Sequence, residues 1–185
     1  MEASLPYALS VSSLLQPLAG SYPFGLSTNE SRRLAVVERF AAPELTLANA
    51  FDPIARLAAH LCETPIAFCT LVERQRIRLI GSYGFRNLRE LPNESGFCTS
   101  VIAQHVSYAV EQADLDSRTK LHTLVSGPEN IRFYVGVQLR SGDQNVGTLC
   151  VLDRVARRAD AQAVEMLDIL AQLAVDRLER FATAA

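Results

Sequence analysis

Apolar and polar residues follow two rhythms along this chain, and each change of rhythm marks a new element. Over positions 30–40, Leu34, Val37 and Phe40 recur at helical spacing while Arg32 and Arg33 fall on the opposite side. A helix is therefore predicted there, with Asn29 as its cap and Pro43 as its stop. A second helix is predicted over 51–62. Asp52 is placed to cap it, Pro53 suits its first turn, and Ile54, Leu57, Ala58 and Leu61 share one face. Thr64-Pro65 ends that helix and launches a strand over 66–72 that is apolar on both faces, as in a central strand covered on both sides. The segment 76–80 begins by alternating and belongs nearer an edge. A loop is expected over 81–96, then a short helix over 98–105, a strand at Tyr108-Ala109-Val110 and a long polar connection to Asn130.

The clearest strand pair comes next. Phe133, Val135, Val137 and Leu139 alternate with Arg132, Tyr134, Gly136 and Gln138, so one face is apolar and the other carries polar groups. Ser141-Gly142-Asp143-Gln144-Asn145 forms a hairpin turn, and the chain returns through 146–153. A last helix is predicted from Asp160, a good N-cap, to Phe181. With no internal repeat and no parallel βαβ alternation, the order describes an α+β fold, an antiparallel sheet with packed helices. Residues 1–30 form a loosely structured arm and 31–183 a single domain.

The last helix carries two apolar stripes. The broad one contains Val164, Leu167, Leu170, Ala174 and Leu178, enough to pack on a sheet. The narrow one holds Met166, Ile169 and Leu173, and it finds either the 30–40 helix or a second copy of the chain; the homodimer is favoured.

Composition adds limits rather than direction. The 185 residues are 49% apolar and 21% charged, which suits an ordinary globular domain. Eighteen basic against twenty acidic residues give a net charge of -2, so there is no basic footprint for nucleic acid or an anionic membrane surface. No segment has the length of uninterrupted apolar sequence that a membrane helix needs. Glu2 stands where a secretory signal has its basic start, and Pro6, Pro17 and Pro23 interrupt the apolar run, so no signal peptide is expected. Cys62, Cys69, Cys98 and Cys150 form no CxxC pair and have no histidine at zinc-like spacing. Buried free thiols and a cytoplasmic location follow as expectations.

Enzyme signatures are missing: there is no GxSxG elbow, phosphate loop, HExxH or EF-hand. His60, His105 and His122 stand far apart, and the first two suit helix ends better than ligand roles. Polar residues do cluster between Pro92 and Tyr134. Asp114, Asp116 and Arg118 either cap turns and pair with one another or converge with Arg132 over the sheet to line a pocket.

Five strings in register then give a resemblance. Pro65-Ile66-Ala67, Gly96-Phe97-Cys98, Ala113-Asp114-Leu115-Asp116-Ser117-Arg118, Ile131-Arg132-Phe133-Tyr134-Val135-Gly136-Val137-Gln138-Leu139 and Gly147-Thr148-Leu149-Cys150-Val151-Leu152-Asp153 together resemble the GAF domain family of bacterial signalling proteins. The likeness spans 31–181. It implies an antiparallel sheet of about six strands with helices packed on one face, a small-molecule pocket on the other, and dimerisation through terminal helices. Three departures narrow it. There is no Trp, Cys98 is followed by Thr99 rather than the histidine of bilin-binding relatives, and the cysteine spacing does not match the methionine-sulfoxide-reducing members.

The resulting expectation is a non-catalytic sensory domain that binds an unidentified effector at Phe97, Cys98, Asp114, Asp116, Arg118, Arg132 and Tyr134. Arg132 grips an anionic group. The signal passes through dimer helices to a downstream protein. The alternatives are a thiol redox sensor or methionine-sulfoxide-reductase-like enzyme using Cys98, or a dimerisation module without ligand. No cofactor or metal is specified.

Overall fold

The structure is a computed structural model that describes residues 28–40, 49–85, 88–93, 97–104 and 107–184. Most of the expected arm, together with Pro43, Gly96 and His105, lies outside them. Helix α1 spans Thr28–Glu38 and α2 spans Asp52–Leu61. Strands β1 (Ile66–Val72), β2 (Arg76–Tyr83) and β3 (Glu90–Pro92) follow, then α3 (Cys98–Ala103), β4 (Tyr108–Val110) and α4 (Thr123–Ser126). The hairpin β5 (Phe133–Ser141) and β6 (Gln144–Asp153) leads into α5 (Ala161–Ala184).

The strands make one six-stranded sheet in the order β3-β2-β1-β6-β5-β4, antiparallel throughout. Central β6 is buried along all ten residues, because it pairs with β1 on one side and β5 on the other and is covered on both faces. On one face Ala67, Cys69, Val135, Val137, Leu149 and Val151 pack beneath α2 and the broad stripe of α5. On the other, Ile66, Phe68, Tyr134, Cys150 and Leu152 lie beneath the short helices α3 and α4 and the connection joining β4 to β5. The long helices thus occupy one face, as expected, and a second apolar core fills much of the other.

Several local differences have identifiable causes. Asp52 is not the N-cap of α2; Phe51 holds that position, and the Asp52 carboxylate accepts the Ser82 N–H at 2.9 Å, tying α2 to β2. β2 continues beyond 80 because Gly81 lets the Phe51 backbone approach; a Cβ there would lie 2.5 Å from it. β3 forms inside the expected loop as a three-residue edge strand, where Pro92 needs no ladder hydrogen bond. α4 starts at an unexpected cap, His122, whose Nδ1 accepts the Leu124 N–H at 3.1 Å. The predicted hairpin turn shortens to Gly142-Asp143, with Gly142 at φ +60. Arg33, assigned to water by its helical position, is buried. It donates to the Val72 carbonyl at 2.8 Å and pairs with Glu30, fixing α1 on the sheet.

The narrow stripe of α5 is not covered by α1: Ile169 is 47% and Leu173 55% exposed, with Met166 partly buried beside them.

Gly147 gives a direct test of the central ladder. A Cβ at this position would sit 1.8 Å from the Thr70 carbonyl oxygen, which is backbone and unable to swing aside. Gly147→Ala is expected to lower stability by about 2–4 kcal/mol in urea unfolding. An unchanged midpoint and slope would show that β1 and β6 do not approach as described.

Candidate functional site

The register of three adjacent strands aligns polar side chains in a row across the sheet face beneath α3. Thr70 on β1 lies opposite Thr148 on β6, and Thr148 opposite Gln138 on β5. The two threonine hydroxyls are 2.8 Å apart and fully buried, and Thr70 also donates to the Thr148 carbonyl at 3.3 Å. Gln138 donates its amide to the carbonyls of Val101, at 2.9 Å, and Gln104, anchoring α3 over the row.

One step along the strands, Cys150 faces Gly136, and Gly136 faces Tyr108. The absent side chain at Gly136 is filled by the Tyr134 ring, which lies along its own strand. A Cβ at 136 would meet the Tyr134 hydroxyl at 2.3 Å. That hydroxyl reaches Cys98 at the start of α3 and donates to its Sγ at 3.7 Å. Phe97 stacks on the Tyr134 ring at 4.7 Å between centroids and touches the His122 ring at the same separation.

Donors therefore converge on the Cys98 sulfur. Its thiol is lowered from the ordinary 9.0 to about 7, first by the hydrogen bond with Cys150, against desolvation, and further by Thr148, Tyr134 and Thr70. Cys150 and Tyr134 move the opposite way, both raised chiefly by burial. Cys98 is thus the most acidic thiol of a buried cluster, while Cys69, with burial alone acting on it, is pushed up.

The expected aspartates and arginines lie around this cluster rather than inside it. Arg132 donates to the carbonyls of Val125, at 3.2 Å, and Ile131, at 3.0 Å, and to Asn130, and it pairs with Asp114 at 3.3 Å. Arg118 forms a bidentate pair with Asp116, donating Nε at 2.8 Å, and its guanidinium lies 5.1 Å from the Tyr108 ring centroid. This pairing holds the Asp116 carboxyl below its ordinary range. The pKa of the Tyr108 hydroxyl, in a residue 2% exposed, is raised above its ordinary value chiefly by burial, with Arg118 and a hydrogen bond from Ser100 acting the other way. Phe97, Cys98 and Tyr134 are thus brought together; Asp114 with Arg132, and Asp116 with Arg118, pin the covering segment above them. Thr70, Thr148, Gln138, Tyr108 and Cys150 were missed as site residues. Thr70 was the available signal, a hydroxyl in the middle of an otherwise apolar strand.

Residues 46–178 match the GAF domain family, so the chain belongs to that family of sensory and regulatory modules. It is 32% identical over 152 residues to a cyclic di-GMP phosphodiesterase of Pseudomonas aeruginosa, across 81% of this chain and 26% of that protein. It therefore spans about a quarter of the length of the curated relative it matches. The GAF domain of an Acinetobacter phosphoenolpyruvate-protein phosphotransferase has the same fold, with TM-score 0.62, 16% identity, and 83% and 96% of the two chains covered. So has the free methionine-R-sulfoxide reductase of Neisseria meningitidis, with TM-score 0.62, 18% identity, and 89% and 99% covered. No helix among the described residues is long and apolar enough to cross a membrane.

The Cys98 environment predicts a pH signature. Thiolate absorbance of the folded protein should titrate near pH 7, vanish in Cys98→Ser, and shift upward in Tyr134→Phe, which loses an O–H donor. Because the folded value lies below the ordinary 9.0, ionisation adds stability that is complete above 9 and is lost as pH falls through 7. The stability difference between wild type and Cys98→Ser should therefore shrink from pH 9 towards 6. Identical profiles would remove Cys98 as the ionised group.

Proposed function

We propose that this chain is a sensory module that takes a small-molecule effector on the sheet face beneath α3 and α4 and signals through α5, paired with a second copy, to a downstream protein. The observation that carries this reading is a polar centre in an apolar face. Two threonines, a tyrosine and two thiols cluster beneath a covering segment, with the buried Tyr108 ring beside them. Arg132 supplies the anion anchor: an effector carboxylate or phosphate displaces Asp114, which is 43% exposed and easily released. Displacement unpins one end of the covering segment, so binding and its rearrangement are linked.

Native mass spectrometry of freshly purified protein tests this reading. A copurified mass on wild type should be lost in Arg132→Ala, a weakening of about tenfold or more. It should be retained more strongly in Asp114→Asn, where the guanidinium is released from its competitor. A bare wild-type mass, or equal retention in all three proteins, counts against the site. For the outgoing helix, Leu173→Glu should halve the mass seen by light scattering, by placing a charge in the apolar contact; an unchanged mass removes the stripe as the interface.

The thiol cluster favours a second reading, a redox sensor. A hydroperoxide would accept two electrons from Cys98 and Cys150, leaving a disulfide, an alcohol and water. Loss of two mass units on peroxide treatment, absent in Cys98→Ser, distinguishes this reading from effector binding, which leaves the covalent mass unchanged.

A further inference from the structure

The face of the sheet turned away from Tyr134 has a concavity of its own. A cleft of about 500 Å³ opens where the end of α2, the start of α5 and strands β5 and β6 meet. Such a volume suits a small molecule. Its floor is apolar and buried, formed by Phe133, Val135, Val151 and Leu167. Its rim is charged, with Glu63 on the α2 side and Arg157, Arg158 and Asp160 on the approach to α5.

These charges are not equally available. Arg157 is held by Asp153, to which its Nε donates at 2.6 Å. Asp160 accepts the Gln162 N–H at 3.2 Å, yet its charge still reaches the cleft. The Cys62 thiol on the cleft wall is pushed up to about 11, by burial first and by Asp160 second. The side chains of Glu63 and Arg158 are exposed and make no hydrogen bond or ion pair among the described residues. Glu63 also sits at φ +50 just beyond α2, a position that favours glycine. A strained backbone position thus carries a carboxylate at the edge of an apolar hollow, near an unpaired guanidinium.

An occupant matching this rim needs an apolar body and both signs of charge. A simple carboxylate would confront Glu63 and Asp160, and a simple amine would confront Arg158. We propose that the cleft binds a free amino acid with an apolar side chain. Its carboxylate meets Arg158, its ammonium lies towards Glu63 and Asp160, and its side chain covers Phe133 and Leu167. The site shares no residue with the Tyr134 face and does not depend on the effector reading. It includes Ala163 and Leu167 of α5, so occupancy bears directly on the first turns of that helix.

Cys62 is the natural reporter, because it lines the cleft and is half-buried while the other three thiols are buried. Its alkylation by iodoacetamide at about pH 9, followed by peptide mass mapping, measures access. L-Leucine at about four times its Kd should slow labelling roughly fivefold, since reaction proceeds through the unliganded form. Isocaproate and isoamylamine, each lacking one charge, should leave the rate unchanged. Arg158→Glu, on the exposed rim, should abolish protection without moving the thermal midpoint, and Ala163→Trp should abolish it by filling the cleft. A labelling rate indifferent to leucine and phenylalanine up to ~50 mM, a range that reaches millimolar affinities, overturns the proposal. Equal protection by isocaproate or isoamylamine overturns the assignment to a zwitterion, and protection retained in Arg158→Glu overturns the role of that arginine.

Discussion

A hydrogen-bonding row in the middle of a buried sheet face constrains everything that covers it. Thr70, Thr148 and Gln138 are brought side by side by strand register, and none can remain buried without partners. The threonines satisfy one another, while Gln138 requires carbonyls from above and takes them from the end of α3. That fixes α3, and α3 fixes Cys98 against Tyr134. The glycine at 136 completes the arrangement by leaving room for the tyrosine ring. The position of the thiol is therefore a consequence of sheet register rather than of any feature local to the cysteine.

How much of this was visible beforehand follows from the range of the interactions involved. Alternation at 133–139 and the two helical periodicities reflect burial on one face, a local property, and those elements formed as expected. The short pieces β3 and α4 were not foreseen. Three residues pairing with an edge, or four capped by a histidine, have no periodicity to detect. Asp52 illustrates a related failure: its type and position suit a helix cap, but a β2 amide thirty residues away competes for the carboxylate. Arg33 is the same lesson with larger effect, since only the tertiary fold supplies the Val72 carbonyl that makes burial of a guanidinium tolerable.

The candidate site divides along the same line. Phe97, Cys98 and Tyr134 carry the family likeness and do meet in space. Asp114, Asp116, Arg118 and Arg132 were expected beside them either as turn residues or as lining, and the contacts they make are those of turn residues. Through that pairing with one another they hold the roof of the face. Thr148 and Gln138 depend on register across β5 and β6, which composition does not reveal.

β5 has a consequence that extends beyond either face. Its consecutive residues Phe133, Tyr134 and Val135 point alternately to the helix-side cleft, the thiol cluster and the cleft again. A single thickness of backbone thus separates two interiors, and the strand cannot rotate to suit one without disturbing the other. Substitutions along it will not sort cleanly by side, and drift at one position restricts which neighbours remain acceptable. In evolutionary terms, the two halves of this molecule are obliged to change together.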